Sequence, residues 1–332
     1  MQAGLGSHWR GTEAEVRLPF RTKYREMDPS APAASVAEKS ICISTHCRNV
    51  QRIFDPGSVR IFDLIHDDGI ARSCVWQYDS DTDQWERLTP LPDGRCEGPL
   101  VANEKTYVLV SGDESQSFLC YNEHSKEWDK CATVPGKICL SSAMTVHDNG
   151  CIYMFGGHDV SYKVDKKGRH SGSAYCFNTR DKTIKPLAKM PTKRYNCSAG
   201  VGPNGLIYVM GGIAAEHKRG FREIFVYCLE VYDPKTNEWE VEDVEKYDIT
   251  FSAARMFTFG GKLHCVPGGC QSMAHYDALR DRWMSVKSDL PHQLSGCSGY
   301  AVIPQHIVRK WTQQPGSCAH LECASGCSEE HW

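Results

Sequence analysis

The sequence predicts an all-β fold assembled from repeated four-stranded units. Three observations carry this. An aromatic residue followed seven positions later by Trp, with a Pro close behind, recurs along the chain. A β-rich run ending in paired glycines lies upstream of the later copies. No helical periodicity competes through residues 95–300.

The recurring motif is a hairpin signature. It reads YDSDTDQW from Tyr78 to Trp85, YNEHSKEW from Tyr121 to Trp128, and YDPKTNEW from Tyr232 to Trp239. The last copy runs from Tyr276 to Trp283, and a weaker one from Phe177 to Ile184. Asp, Pro, Asn and Thr between the two aromatics are turn residues, so a strand enters with Tyr and leaves with Trp. The anchors at 85, 128, 184, 239 and 283 lie 43, 56, 55 and 44 residues apart. Spacing in the forties with insertions is the mark of a repeat architecture.

The glycine-ended runs supply a second strand. CIYMFGG places Gly156 and Gly157, LIYVMGG places Gly211 and Gly212, and LHCVPGG places Gly268 and Gly269. YVLVSGD is a degraded copy, and the first repeat has only SVRIFDLIHDDG. A further strand precedes each run across turns such as HDNG and GPNG. Each repeat thus holds four short strands, a to d.

One such sheet cannot bury both its faces. Stacking like sheets around an axis does so without long exposed edges, which predicts a β-propeller. The Tyr and Trp residues are then plates filling the wedges between blades, and the paired glycines end strand b where side chains have little room.

The 28 Gly and 16 Pro have their places in this scheme. A net charge of −3 gives no whole-molecule basic field for nucleic acid or a membrane surface. The 17 cysteines are odd in number and scattered, unlike a small secreted disulfide framework. Without an N-terminal apolar core or a long apolar stretch, they read as small buried hydrophobes in a cytoplasmic, reducing setting.

Strand, paired Gly, then Tyr-Asp-Pro and Trp at fixed spacing resembles the kelch repeat. The resemblance covers about residues 50–305 and is nearest to the C-terminal propeller of BTB–BACK–kelch proteins. It implies substrate recognition for cullin-RING ubiquitin ligases, with actin-binding or signalling scaffolds as the alternative. The lead of residues 1–50 is shorter than BTB and BACK domains need. The chain is therefore expected to bind a substrate without docking a ligase itself. Lead and tail (306–332) are expected to be disordered.

Blade count is left between two readings. The first repeat lacks an evident strand a, so the strand near Tyr300–Val302 either closes onto it in a five-bladed ring or begins an incomplete sixth blade.

In a propeller the loops of one face make the interaction surface, and the resemblance to kelch-like proteins implies partner binding on the loops after the paired glycines and on the turns that follow each Pro. Two of these loops are long and basic. One spans 158–172, with His158, Lys163, Lys166, Lys167 and Arg169. The other spans 213–224, with His217, Lys218, Arg219 and Arg222. The turn between these repeats adds Lys193, Arg194 and Tyr195, and Gln271 sits in the corresponding loop of the last repeat. Three basic segments on one rim suit an acidic or phosphorylated peptide.

No phosphate loop, HExxH or GxSxG motif is present, so the chain is not expected to be an enzyme, and no cofactor or metal is expected. A propeller oxidase or hydrolase is the reading from a different class. His264 and Cys265 are adjacent in a strand and point to opposite faces. The tail set Cys318, His320, Cys323, Cys327 and His331 fits no familiar zinc spacing.

Overall fold

The computed structural model describes residues 39–45, 50–55, 60–67, 70–79, 84–92, 95–103, 105–112, 114–136, 139–159, 170–216, 222–242, 255–259, 262–266, 273–277, 280, 282–286 and 297–304. Every regular element among them is a β-strand.

Five antiparallel sheets have four strands each, always in sequence order. The first blade holds Val50–Asp55, Arg60–Asp67, Ile70–Asp79 and Gln84–Leu88. The second holds Arg95–Ala102, Lys105–Ser111, Gln116–Asn122 and Glu127–Val134. The third holds Ala143–Val146, Cys151–Phe155, Ala174–Asn178 and Thr183–Pro186. The fourth holds Ser198–Val201, Ile207–Met210, Leu229–Asp233 and Glu238–Glu242. The fifth holds Arg255–Phe259, Lys262–Val266, Met273–Asp277 and Arg282–Val286.

The first strands of successive blades touch in order around a closed circuit. Its last member is Cys297–Pro304, which contacts the first strands of the fifth and the first blade. That strand pairs with Lys39–Thr45 in a separate two-stranded sheet. The ring therefore has six positions, five of them four-stranded and the sixth shared by the two ends of the chain.

This settles the blade count and corrects two expectations. The first blade has its own strand a, Val50–Asp55, paired with Arg60–Asp67. The strand through Tyr300–Val302 closes the ring with Lys39–Thr45, inside the stretch read as a lead, and not with the first blade. The tail after Pro304 lies outside the described residues, as does residues 1–38 of the lead.

The hairpin signature folds as its spacing dictates. Tyr78 lies directly across from Trp85, Tyr121 from Trp128, Phe177 from Ile184, Tyr232 from Trp239, and Tyr276 from Trp283. The turn places Lys126, Lys182 and Asn237 at φ near +60°.

Apolar side chains gather between blades. One cluster joins Tyr153 and Phe155 of the third blade to Val209 and Tyr232 of the fourth. Trp239 packs edge-on against Phe155 with ring centroids 5.3 Å apart. Its Nε1 donates to the Ala188 carbonyl of the preceding blade at 2.8 Å, and Trp128 donates likewise to Thr89 at 3.0 Å. Each indole thus buries apolar area and satisfies its one donor across the wedge.

The paired glycines are required twice over. Gly156 and Gly157 have φ of 70° and 109°, and Gly211 and Gly212 have 68° and 93°. A Cβ on Gly156 would lie 2.4 Å from the Arg194 carbonyl oxygen, and one on Gly212 2.6 Å from that of Tyr195. The third pair, Gly268 and Gly269, lies outside the described residues.

Candidate functional site

The chain crosses from one blade to the next on the same face as the loops after the paired glycines. On this loop face Cys139–Leu140 pairs with His158–Asp159, and Arg194–Tyr195 pairs with Ile213–Glu216. Ile213–Glu216 also pairs with Arg222–Phe225, so the long loop of the fourth blade returns as a hairpin. The result is a small three-stranded sheet on the loop face beside the third blade.

Rings collect at its edge. Tyr195 lies 5.0 Å from His158 and 5.2 Å from His170, centroid to centroid. The Tyr195 hydroxyl donates to Glu223 Oε1 at 3.4 Å, and His170 Nε2 lies 3.6 Å from the same oxygen. Burial, with the Glu223 carboxylate beside it, raises the Tyr195 phenol above its ordinary value. His170 is buried and Glu223 exposed.

Two large apolar side chains lie open beside this cluster. Phe225 is 57% exposed and Tyr227 53% exposed. They flank buried Val226, which anchors the segment through a backbone bond from its N–H to the Gly212 carbonyl at 2.9 Å. Alternation of exposed, buried and exposed residues turns both rings to solvent.

Arg194 is the main correction. It is fully buried, with its Nη2 2.7 Å from Glu230 Oε2, itself fully buried. Further Nη contacts reach the carbonyls of Gly211 at 3.2 Å, Cys228 at 3.3 Å and Val209 at 3.4 Å. Its two Nη groups are held within the fourth blade, and the guanidinium is buried rather than presented on the loop face. Glu230 in turn accepts from the Thr192 N–H at 3.0 Å, tying down the turn that carries Arg194.

Arg222 is exposed but paired with Glu216 at 2.8 Å. Lys193 is exposed on the same turn as Arg194, and His158 and Tyr195 are half-buried. Lys163, Lys167, Arg169, His217, Lys218, Arg219 and Gln271 lie outside the described residues. Phe225, Tyr227, His170 and Glu223 were not singled out as contact residues by sequence, because no repeat element contains them. The one local signal was FREIFVY, an apolar-aromatic run where a solvated loop was expected.

His264 and Cys265 lie in the strand Lys262–Val266 and diverge as alternation requires. His264 stacks on Phe257 at 5.3 Å, whereas Cys265 Sγ meets Met210 Sδ at 3.5 Å. Among the described residues no group of three or more His, Cys, Asp or Glu side chains is placed to hold a metal ion, and nine of the cysteines are free thiols. No helix among them is long and apolar enough to cross a membrane.

Comparison with known proteins agrees with this architecture. The Kelch motif family matches residues 194–243, which run from Arg194 through the fourth blade. Beta-scruin of Limulus polyphemus is 24% identical over 70% of this chain and 26% of its own length. Kelch-like protein 41a of Danio rerio is 27% identical over 67% of this chain and 37% of its own. An F-box/kelch-repeat protein of Arabidopsis thaliana is 28% identical over 55% of this chain and 50% of its own. The chain spans half or less of the length of these relatives. Among solved structures, that of YjhT superposes with a TM-score of 0.55, covering 82% of this chain and 99% of that one at 12% identity. The last likeness carries the fold alone.

Proposed function

We propose that this kelch-repeat propeller is a protein-interaction module, and that its loop face at the third and fourth blades takes a segment of a partner protein. The observation that carries this is the pair of open rings, Phe225 and Tyr227, on a hairpin braced by buried Val226. Exposed aromatics on a rigid support are the residue type that dominates interface energetics. Lys193 and Arg222 lie on the same small sheet and its turn, and the basic residues at 163–169 and 218–219 adjoin it in sequence. This composition supports an acidic or phosphorylated segment, with the aromatic pair supplying affinity and the cations supplying choice of partner.

The kelch-like and F-box/kelch relatives support a role in presenting a substrate to a ubiquitin ligase, with this chain supplying recognition.

A random peptide-phage library selected on the purified chain tests the surface. Acidic peptides should be enriched, and their affinity should fall more than tenfold in the Phe225→Ala/Tyr227→Ala double variant. Peptides that bind this variant as well as the parent overturn the assignment. For the ligase role, proteins captured in cells should accumulate with proteasome inhibitor and co-purify with ubiquitin. A capture set that inhibitor leaves unchanged favours a scaffold instead.

A further inference from the structure

The hairpin that carries the two open rings also ends the small loop-face sheet. That sheet runs Arg194–Tyr195, Ile213–Glu216, Arg222–Phe225, in that order. Among the described residues no strand pairs with the far side of Arg222–Phe225.

The phase of the ladder says which groups this edge presents. The Val226 N–H donates to the Gly212 carbonyl at 2.9 Å, in the same register that sets Phe225 opposite Ile213. Backbone groups of an antiparallel strand point to its two sides in alternation. Val226, Ile224 and Arg222 therefore direct theirs into the hairpin. Glu223 and Phe225 direct theirs, an N–H and a C=O each, away from it.

The side chains form rows across the three strands. Tyr195 is opposite Ile213, which is opposite Phe225. Arg194 is opposite Ala214, which is opposite Ile224. Alternation puts the two rows on opposite faces of the sheet. The second row faces the blade, with Arg194 and Ala214 buried. The first faces outward, half-buried at Tyr195 and Ile213 and exposed at Phe225. An apolar row thus crosses the sheet and stops at an edge that turns amide groups outward.

We propose that an extended segment of the partner protein adds to Arg222–Phe225 as a fourth, antiparallel strand. This rests on the loop-face reading above and states how that face holds its segment. Main-chain bonds to Glu223 and Phe225 fix the segment, and its alternate side chains give the choice of partner. Opposite Phe225, an apolar side chain continues the row from Tyr195. Opposite Arg222, which is 72% exposed, a carboxylate makes a cross-strand charge pair. Arg222 meets Glu216 through Nη2, and the guanidinium has further donors for a second acceptor. Read from its N-terminus, the segment has an apolar residue and, three positions later, an acidic one. A second copy of this chain matches the edge less well. In the registers that set Glu223 against Glu223, Phe225 or Tyr227, no carboxylate faces Arg222.

The test uses the library-selected peptides on the intact chain. Each peptide is resynthesised with one backbone amide N-methylated, at every position in turn. Affinity should fall more than tenfold at alternate positions and less than threefold between them. This scan needs no protein variant, so misfolding cannot obscure it. On the protein, Glu223→Pro deletes an outward N–H and leaves the bonds of the hairpin in place. Glu223→Ala removes the carboxylate and keeps that N–H. The first should weaken binding more than tenfold, the second less than threefold. Peptides that need Phe225 and Tyr227, show no alternation and bind both Glu223 variants equally would keep the surface and overturn strand addition. Peptides indifferent to the two rings overturn the surface and this binding mode with it. Dimers of the parent chain that Glu223→Pro abolishes would assign the edge to a second copy and overturn the proposal.

Discussion

The entries to the third and fourth blades share one backbone and differ in what fills it. Each has a two-residue strand, Cys139–Leu140 or Arg194–Tyr195, paired to the residues that follow the paired glycines. Each is followed by a residue in the left-handed region, Ser141 at φ 56° or Asn196 at φ 54°. The two turns even touch, through the Asn196 N–H and the Ser141 carbonyl at 2.8 Å. At the third blade the slot holds Cys139, whose carbonyl accepts from neutral Gln116 at 2.9 Å. At the fourth it holds Arg194, with its charge buried against Glu230. A basic residue in such a turn is therefore no sign of a binding surface, because the slot accepts a neutral or a charged plug if its partner matches.

The largest test of that contrast removes one member of the charged plug. Arg194→Met leaves Glu230 buried without its counter-charge and should cost about 3–5 kcal/mol, read as a lowered denaturant midpoint. Adding Glu230→Met should restore most of the loss, since a buried pair can be exchanged for apolar groups of similar volume.

Next comes the neutral plug. Gln116→Leu strips the partner from the Cys139 carbonyl and from Ser111 Oγ, which accepts from Gln116 at 2.9 Å. It should cost about 1–3 kcal/mol in the same measurement, less than Arg194→Met. Equal costs would break the contrast.

Smaller still is the latch between the blades. Trp239→Phe keeps the ring against Phe155 and deletes the bond to the Ala188 carbonyl, with an expected loss of about 1 kcal/mol.

The subtlest difference is in pH. The Ser141 turn is held by Glu97, whose carboxylate accepts from the Ser141 and Ser142 N–H groups. Burial outweighs these bonds and raises the Glu97 carboxyl from 4.5 to about 7. The folded state thus holds the Glu97 proton more tightly than the unfolded state does. Its stabilising contribution is full below about 4.5 and is lost as pH rises through 7. Glu97→Gln should flatten the fall in stability across that window.

What the sequence revealed follows from how local each signal is. The Tyr–Trp hairpins were legible because both strands and their turn lie within eight residues. The paired glycines were legible because their strain is their own. Closure of the ring was not: Lys39–Thr45 and Cys297–Pro304 are far apart in the chain, and neither carries a glycine pair. Val50–Asp55 was missed because VQRIFD is short and half polar. The proposed surface lies on the loop face that the sequence pointed to, but its exposed rings were not legible. Arg194 depends on Glu230, 36 residues later and inside a strand, so no local pattern foretold its burial. Phe225 and Tyr227 stay exposed only because Val226 takes the inward position.

The most direct test of the interaction-module account is the affinity of library-selected peptides for two variants measured side by side. The account predicts a loss of more than tenfold in Phe225→Ala/Tyr227→Ala, with binding retained in the refolded Arg194→Met/Glu230→Met protein. The reverse pattern, peptides indifferent to the two rings and dependent on Arg194, would contradict it.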